Sequence, residues 1–306
     1  MKMNINIIKN ECIKQGIDSI VKYDEPLKNH TSLRIGGPAD VFCSPNNIED
    51  LKKVVSISRE YNIPFRVIGN GTNLLILDSG IRGLVINLNK GFKKIEFSDK
   101  IIKVGAGVSL VYLSKIVSNK ELSGLEFVCN VPGFLGGAII NNASFKGNCM
   151  ADVVQSVTFL TRENKIGKTF KSNLNFNYRE CNLKGKPVVI LEATLLLKKG
   201  NKEEIESKIK QNIEIRKTKQ PLNKFSAGSI FKNPPGYYAG ELAEKVGAKG
   251  LSRGKAQVSS KHANFIINKG GASAEDILYL IEEIEKRVKK NIGIKLEREI
   301  EILGEP

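Results

Sequence analysis

The run Ala227-Gly228-Ser229-Ile230-Phe231-Lys232-Asn233-Pro234 gathers a hydroxyl, a ring, a cation and an amide behind an Ala-Gly approach and ahead of a proline. Such a run suits neither a helix nor a buried strand. It suits a loop that holds Ser229 where polar groups converge on a ligand, and equally a Gly/Ser turn leading into a strand. Phe176-Asn177-Tyr178-Arg179-Glu180 sets a guanidinium beside aromatic rings, a pairing that often forms a surface stack. Near the C-terminus, Leu296-Glu297-Arg298-Glu299-Ile300 spaces two carboxylates so that a strand would carry both on one face, the ordinary arrangement of a solvated edge strand.

Two glycine-rich runs add backbone chemistry. Gly69-Asn70-Gly71-Thr72-Asn73-Leu74-Leu75 lacks the third glycine and the helix of a dinucleotide fingerprint, because Leu74-Leu75-Ile76 reads as a strand. Its amides, from Gly69 through Leu74, suit a phosphate cradle made of N–H groups without a helix dipole; the alternative is a plain strand-to-strand turn. In Val131-Pro132-Gly133-Phe134-Leu135-Gly136-Gly137, four of seven positions are glycine or proline inside an apolar run that continues to Ala143. That composition predicts backbone packed flat against a ligand. The two loops together could grip one extended dinucleotide from two sides.

The elements that position these residues read as α+β. Pro45–Tyr61 has an amphipathic stripe of Ile48, Leu51, Val54 and Val55, with Glu49 and Asp50 at its positive end. Pro64–Ile68, Leu84–Leu88, Ile101–Val104, Val153–Leu160, Lys168–Phe170 and Pro187–Leu197 read as strands, and Ser109 as the cap of a helix. The chain turns charged and helical at Lys198–Glu206, and Pro221 closes that region. Ser273 and Asp276 form a capping box for a helix with the stripe Ile277, Leu280, Ile281, Ile284 and Val288. Gly293 ends it, and Ile294–Leu303 is expected to be a final strand. There is no internal repeat.

Composition narrows the function. The 306 residues are 41% hydrophobic and 26% charged, with no apolar run long enough for a bilayer and no signal-peptide pattern over residues 1–20, so a cytoplasmic protein is expected. Five scattered cysteines and two histidines offer no metal-ligand spacing. The net charge of +16 suggests nucleic acid or an anionic small molecule. The lysines are dispersed and pair with glutamates at helical spacing, which favours the small molecule over nucleic acid.

Taken in order, Asn29-His30-Thr31-Ser32-Leu33-Arg34-Ile35-Gly36-Gly37-Pro38-Ala39, Gly69–Leu75, Val131–Ala143, Tyr178-Arg179, Ala227–Pro234, Lys261-His262-Ala263-Asn264-Phe265 and Leu296–Ile300 resemble the enolpyruvyl-UDP-N-acetylglucosamine reductases of bacterial peptidoglycan synthesis, in their shorter type II form. The resemblance runs from about residue 22 to the C-terminus. It implies a two-part FAD-binding domain of the vanillyl-alcohol-oxidase/PCMH type, at 1–90 and 91–203, and a C-terminal α+β substrate-binding domain at 204–306. It implies Arg34, Gly36, Gly37, Gly69, Asn70, Gly71, Thr72, Asn73, Leu74, Val131, Pro132, Gly133, Gly136, Gly137 and Asn142 as FAD contacts. Tyr178, Lys219, Asn233 and His262 are implied at the substrate, with a packed structural role the alternative for His262. The chain departs from the usual pattern at Phe134, Ser144 and Cys181, where the family has a small hydroxyl residue, glycine and serine.

The resemblance also implies a reaction. NADPH reduces FAD, and flavin N5 then gives hydride to the terminal carbon of the enolpyruvyl ether of a UDP-sugar. Arg179 and Glu299 act at the substrate carboxylate, Ser229 supplies the proton to the adjacent carbon, and no metal takes part. Another flavin oxidoreductase of the same fold is the alternative, and a basic nucleic-acid-binding module is a reading from a different class.

Overall fold

The computed structural model describes residues 5–305; the ends of the outer domain ranges above, 1–4 and 306, lie outside them. The chain forms two compact units that are discontinuous in sequence. One takes the residues up to Tyr23, Asp40–Gly69 and Gly83–Glu214; the other takes Asp24–Ala39, Asn70–Arg82 and the residues from Ile215 on. Each has its own hydrophobic core.

The first unit carries two sheets. In one the strand order is Val21–Pro26, Pro38–Cys43, Ile81–Asn87, Phe65–Ile68, and the last two run parallel. The residues between these two parallel strands, 69–80, include the strand Leu74–Ile76; the helix Ile48–Glu60 comes earlier, between Pro38–Cys43 and Phe65–Ile68. Asn47 caps it by accepting from the Asp50 N–H at 2.8 Å, and its buried face is Leu51, Val54, Val55 and Ile57. Full burial of each such side chain stabilises by roughly 1.5–3 kcal/mol. The other sheet is antiparallel throughout, in the order Ile166–Phe170, Val154–Thr161, Val188–Leu196, Ile101–Gly105, Ile95–Ser98. The expected strands are therefore present, with shifted ends. Ser109 does precede a helix, Leu110–Asn119, but its side chain makes no capping bond; its backbone pairs with Phe134 instead.

The second unit holds an antiparallel sheet in the order Phe225–Ser226, Ile266–Asn268, Ala256–Val258, Ser252–Arg253. The helix Ala274–Ile292 covers its core with the expected buried stripe, begins in the Ser273–Asp276 capping box and ends at Gly293, whose φ is +83°. A parallel pair, Leu74–Ile76 with Glu301–Leu303, completes the unit. The expected strand Ile294–Leu303 is thus corrected: only Glu301–Leu303 is regular strand, and Arg298 makes an isolated bridge to Phe231. Among the described residues no helix is long and apolar enough to cross a membrane. Nor is any group of three or more His, Cys, Asp or Glu placed to hold a metal.

Candidate active site

In the second unit, Ser229 follows Gly228, whose φ of +78° turns the chain so that the half-buried serine leaves the strand Phe225–Ser226. The next residues are held rigidly. Asn264 is buried, accepts from the Phe231 N–H at 2.8 Å and donates to the Phe231 carbonyl at 2.8 Å, while its own carbonyl accepts from the Ile230 N–H at 2.9 Å. The Ile230 carbonyl in turn receives two amides, Glu299 N–H at 2.7 Å and Ile300 N–H at 3.3 Å. Two successive donors on one acceptor are a β-bulge, a device that re-aims side chains beside functional sites. Beyond it the chain changes partner. Asn73 donates through Nδ2 to the Glu299 carbonyl at 3.0 Å, and its carbonyl accepts from the Glu301 N–H at 3.0 Å. Ser229, Glu299 and the first glycine loop are therefore brought together in this unit. The bulge also breaks the alternation that would align Glu297 with Glu299. Glu297 is exposed and pairs with Lys232 at 3.4 Å, whereas Glu299 is half-buried.

The first glycine loop fits an anion. Gly71 has φ +60°, and a Cβ there would lie 2.1 Å from the His30 carbonyl oxygen, so only glycine lets the two backbones meet. Its carbonyl accepts from the Ser32 N–H at 3.1 Å. Among the described residues, no carbonyl accepts from the amides of Gly71, Thr72 or Asn73. That is the donor set of a phosphate nest. Leu74 already begins the strand. Arg34 is exposed with φ +57°, near the Phe225 ring at 5.9 Å. Gly36 and Gly37 are occupied structurally: their carbonyls accept from Lys28 and Leu27, at 3.1 and 3.0 Å.

In the first unit, Gly69 and the second loop are neighbours, since a Cβ on Gly69 would lie 3.7 Å from the Phe134 ring. Much of the hydrogen-bonding capacity of this loop is used within the unit. The amides of Leu135 and Gly136 donate to Val108 and Ala106, each at 3.0 Å, Gly133 donates to Val131 at 2.9 Å, and a short helix, Leu135–Ile140, begins within the loop. Gly137 faces open space, with no atom within 4 Å of a built Cβ, and Val131 and Pro132 form the approach. Both ends of the buried Asn142 amide serve the framework: Nδ2 donates to the Asn177 carbonyl at 3.0 Å and Oδ1 accepts from the Ala151 N–H at 3.0 Å.

Arg179 stands at the tip of a turn closed by Asn177 and Glu180, whose amides and carbonyls exchange bonds at 3.0 and 3.2 Å. Its φ is +61°, a left-handed conformation that costs a non-glycine residue about 1–2 kcal/mol. The guanidinium lies 5.5 Å from the exposed Tyr178 ring and donates through Nη1 to the Ser144 hydroxyl at 3.0 Å. Cys181, beside it, is buried, and burial pushes its thiol above the ordinary value.

Of the remaining candidates, all in the second unit, Lys219 is exposed at the end of the helix Lys202–Lys219. Asn233 accepts from the Ala239 N–H at 2.9 Å. His262 is packed against Phe265, ring centroids 4.9 Å apart, and its Nδ1 accepts from the Asn264 N–H at 3.2 Å. Burial pushes its pKa below the ordinary value, and the Lys249 charge adds to this. Sequence reasoning assigned nothing to Asn264, although it lay inside a quoted motif, and met Ser144 only as a departure from pattern.

Comparisons with known proteins bear on both units. A model of the UDP-N-acetylenolpyruvoylglucosamine reductase C-terminal domain matches residues 220–303, and one of an FAD binding domain matches residues 39–169. The chain is 46% identical to the UDP-N-acetylenolpyruvoylglucosamine reductase of Caldanaerobacter subterraneus subsp. tengcongensis, over 92% of this chain and 93% of that relative. It resembles the crystal structure of the corresponding reductase from Thermus caldophilus with a TM-score of 0.80 and 36% identity, over 92% of this chain and 98% of that one. Alkyldihydroxyacetonephosphate synthase shares the fold over 65% of this chain and 41% of that one, with a TM-score of 0.50 and 16% identity.

Proposed function

The chain belongs to the UDP-N-acetylenolpyruvoylglucosamine reductase family, FAD-dependent oxidoreductases, and from that premise we propose that it reduces the enolpyruvyl ether of UDP-N-acetylglucosamine enolpyruvate to UDP-N-acetylmuramate at the expense of NADPH, in the cytoplasm. We assign FAD binding to residues 1–90 and 91–203 and substrate binding to 204–306, with Asp24–Ala39 and Asn70–Arg82 packed in the compact unit that holds the residues from Ile215 on. FAD, when bound, supplies the hydride. The amides of Gly71, Thr72 and Asn73 hold its anionic part, which is supported by their having no carbonyl acceptor among the described residues.

The chain's own residues handle charge and proton. Hydride addition to the terminal carbon throws negative charge onto the substrate carboxylate, and Arg179 stabilises charge that grows only on the way to the transition state. Glu299 orients the same carboxylate. Ser229 donates a proton to the adjacent carbon; positioned acid catalysis of this kind is worth about 10²–10⁴ in rate. Tyr178, Lys219, Asn233 and His262 bind the UDP-sugar. The observation that carries this reading is the 2.7 Å bond from the Glu299 N–H to the Ile230 carbonyl, which ties the acid to the residue next to Ser229.

An anaerobic spectral titration tests it. The purified protein should carry or take up FAD, bleach with NADPH, and recover its colour on adding UDP-N-acetylglucosamine enolpyruvate. Recovery with oxygen alone would assign a different oxidoreductase reaction. A protein that takes up no flavin would overturn the reading altogether.

A further inference from the structure

Arg179 is a long side chain on a strained turn tip, and the structure shows what steadies its head. The turn is attached to the segment Asn142–Ser144 by two side chains. Asn142 holds the backbone through the Asn177 carbonyl at 3.0 Å, and Ser144 holds the guanidinium through its hydroxyl at 3.0 Å. Ser144 is itself rigidly mounted. It lies on a tight hairpin, Ser144–Phe145 with Asn148–Cys149, whose Lys146 and Gly147 have φ of +51° and +80°, a two-residue turn that matches strand twist. The hairpin is tied down at its base, where the Met150 N–H donates to the Ala143 carbonyl at 3.0 Å. A glycine or alanine at 144 would keep the backbone carbonyl, at 3.5 Å from Nη1, but lose the hydroxyl at 3.0 Å.

We propose that Ser144 is a positioning residue for the reductive step: its hydroxyl accepts from Arg179 Nη1 and fixes the direction in which the cation faces the substrate carboxylate. This rests on the role given to Arg179 above. A guanidinium held in place before the reaction needs no reorganisation when negative charge develops, which is where fixed electrostatic groups contribute most. The serine oxygen can accept and its proton still donate, and among the described residues that proton has no acceptor. The hydroxyl therefore orients the cation without consuming its own donor.

The test is a double-mutant cycle on the FAD-loaded enzyme, read in separate half-reactions. Ser144→Ala is expected to slow flavin reoxidation by the enolpyruvyl substrate about tenfold, the scale of one charge-assisted hydrogen bond, and to leave flavin reduction by NADPH unchanged. Ser144→Thr, which restores the hydroxyl, should return the rate to within about threefold of wild type. In the Arg179→Met background, adding Ser144→Ala should cost nothing further, since a residue that acts through another loses its effect with that partner. Calorimetric titration of the oxidised enzyme with substrate should show affinity falling less than the rate, because the charge grows only in the transition state. Ser144→Gly serves as a second truncation should alanine disturb the hairpin. Reoxidation within twofold of wild type in both truncations overturns the proposal. So does an undiminished tenfold loss in the Arg179→Met background, which would place Ser144 directly on the ligand. If Arg179→Met itself reoxidises at the wild-type rate, the role of the arginine falls, and Ser144 falls with it for that separate reason.

Discussion

Replacing Asn264 tests how the Ser229 segment is held. Asn264 is 3% exposed, and its side-chain amide satisfies both polar groups of the buried Phe231 backbone. In Asn264→Ala a buried N–H and a buried carbonyl lose their partners together. Each orphaned group costs about 1–3 kcal/mol, so the variant should lose about 4 kcal/mol. For a unit of this size that is a fall in melting temperature of roughly 10–20 °C. Asn264→Asp is the sharper variant because it keeps the shape. Its carboxylate still accepts from the Phe231 N–H but turns a second lone pair towards the Phe231 carbonyl, replacing attraction with repulsion. It should therefore be destabilised about as much as the alanine variant, with no cavity to blame. Because the Ile230 carbonyl carries the bulge at Glu299 and Ile300, both variants should also slow substrate-driven reoxidation of the flavin more than its reduction by NADPH. Thermal unfolding followed by circular dichroism, with stopped-flow absorbance for the half-reactions, provides both readings. An Asn264→Asp protein that melts within about 2 °C of wild type would refute the argument that this amide is the clamp.

The other expectations are as specific. Gly71→Ala would force a left-handed φ on alanine and press its Cβ to 2.1 Å from the His30 carbonyl, so little folded protein should be recovered. Gly137→Ala meets no atom within 4 Å; the apoprotein should melt within about 2 °C of wild type, and weakened FAD binding by fluorescence titration would place the cofactor against that face. Glu299→Gln should stall reoxidation while Glu297→Gln leaves it near normal, and the reverse result would assign the role to the exposed carboxylate instead. His262 has a folded-state pKa depressed from its ordinary 6.5, so its contribution to stability is present above that value and is lost as the pH falls through and below it. Wild type should lose stability between pH 7 and pH 5 faster than His262→Gln, by at most about 1.4 kcal/mol per pH unit, and parallel curves would show that the imidazole is not buried neutral.

Periodicity made most of the scaffold legible. The stripe Ile277, Leu280, Ile281, Ile284 and Val288 specifies one helix face and its buried partner, and Ser273 and Asp276 announce where that helix starts. Local signals of this kind survive folding because the chain satisfies them within a few residues. The glycine loops were legible as loops, but their use was not. In the first loop the amides of Gly71, Thr72 and Asn73 meet no carbonyl among the described residues, whereas Leu135 and Gly136 spend theirs on Val108 and Ala106, partners some distance back in the chain that no local pattern names.

Glu299 shows most clearly where local reading ends. Alternation along Leu296–Ile300 makes Glu297 and Glu299 equivalent, and nothing in their own neighbourhood separates them. What separates them is the Ile230 carbonyl, which accepts two successive amides, and Asn73, which takes over the chain one residue later. The bulge falls where the chain changes partner: it leaves an antiparallel neighbour at Phe231 and joins a parallel one at Leu74, and the two ladders space their hydrogen bonds differently. The irregular residue is thus set by a junction between segments far apart in sequence, and it falls at Glu299, whose N–H bonds to the carbonyl of the residue after Ser229. The same reasoning applies to Arg179 in the other unit. It sits at a left-handed φ in a turn to which Asn142 and Ser144 are bonded, so that in both places the proposed functional residue stands at a backbone irregularity, a bulge in one and a left-handed turn in the other, whose support comes from a separate stretch of chain.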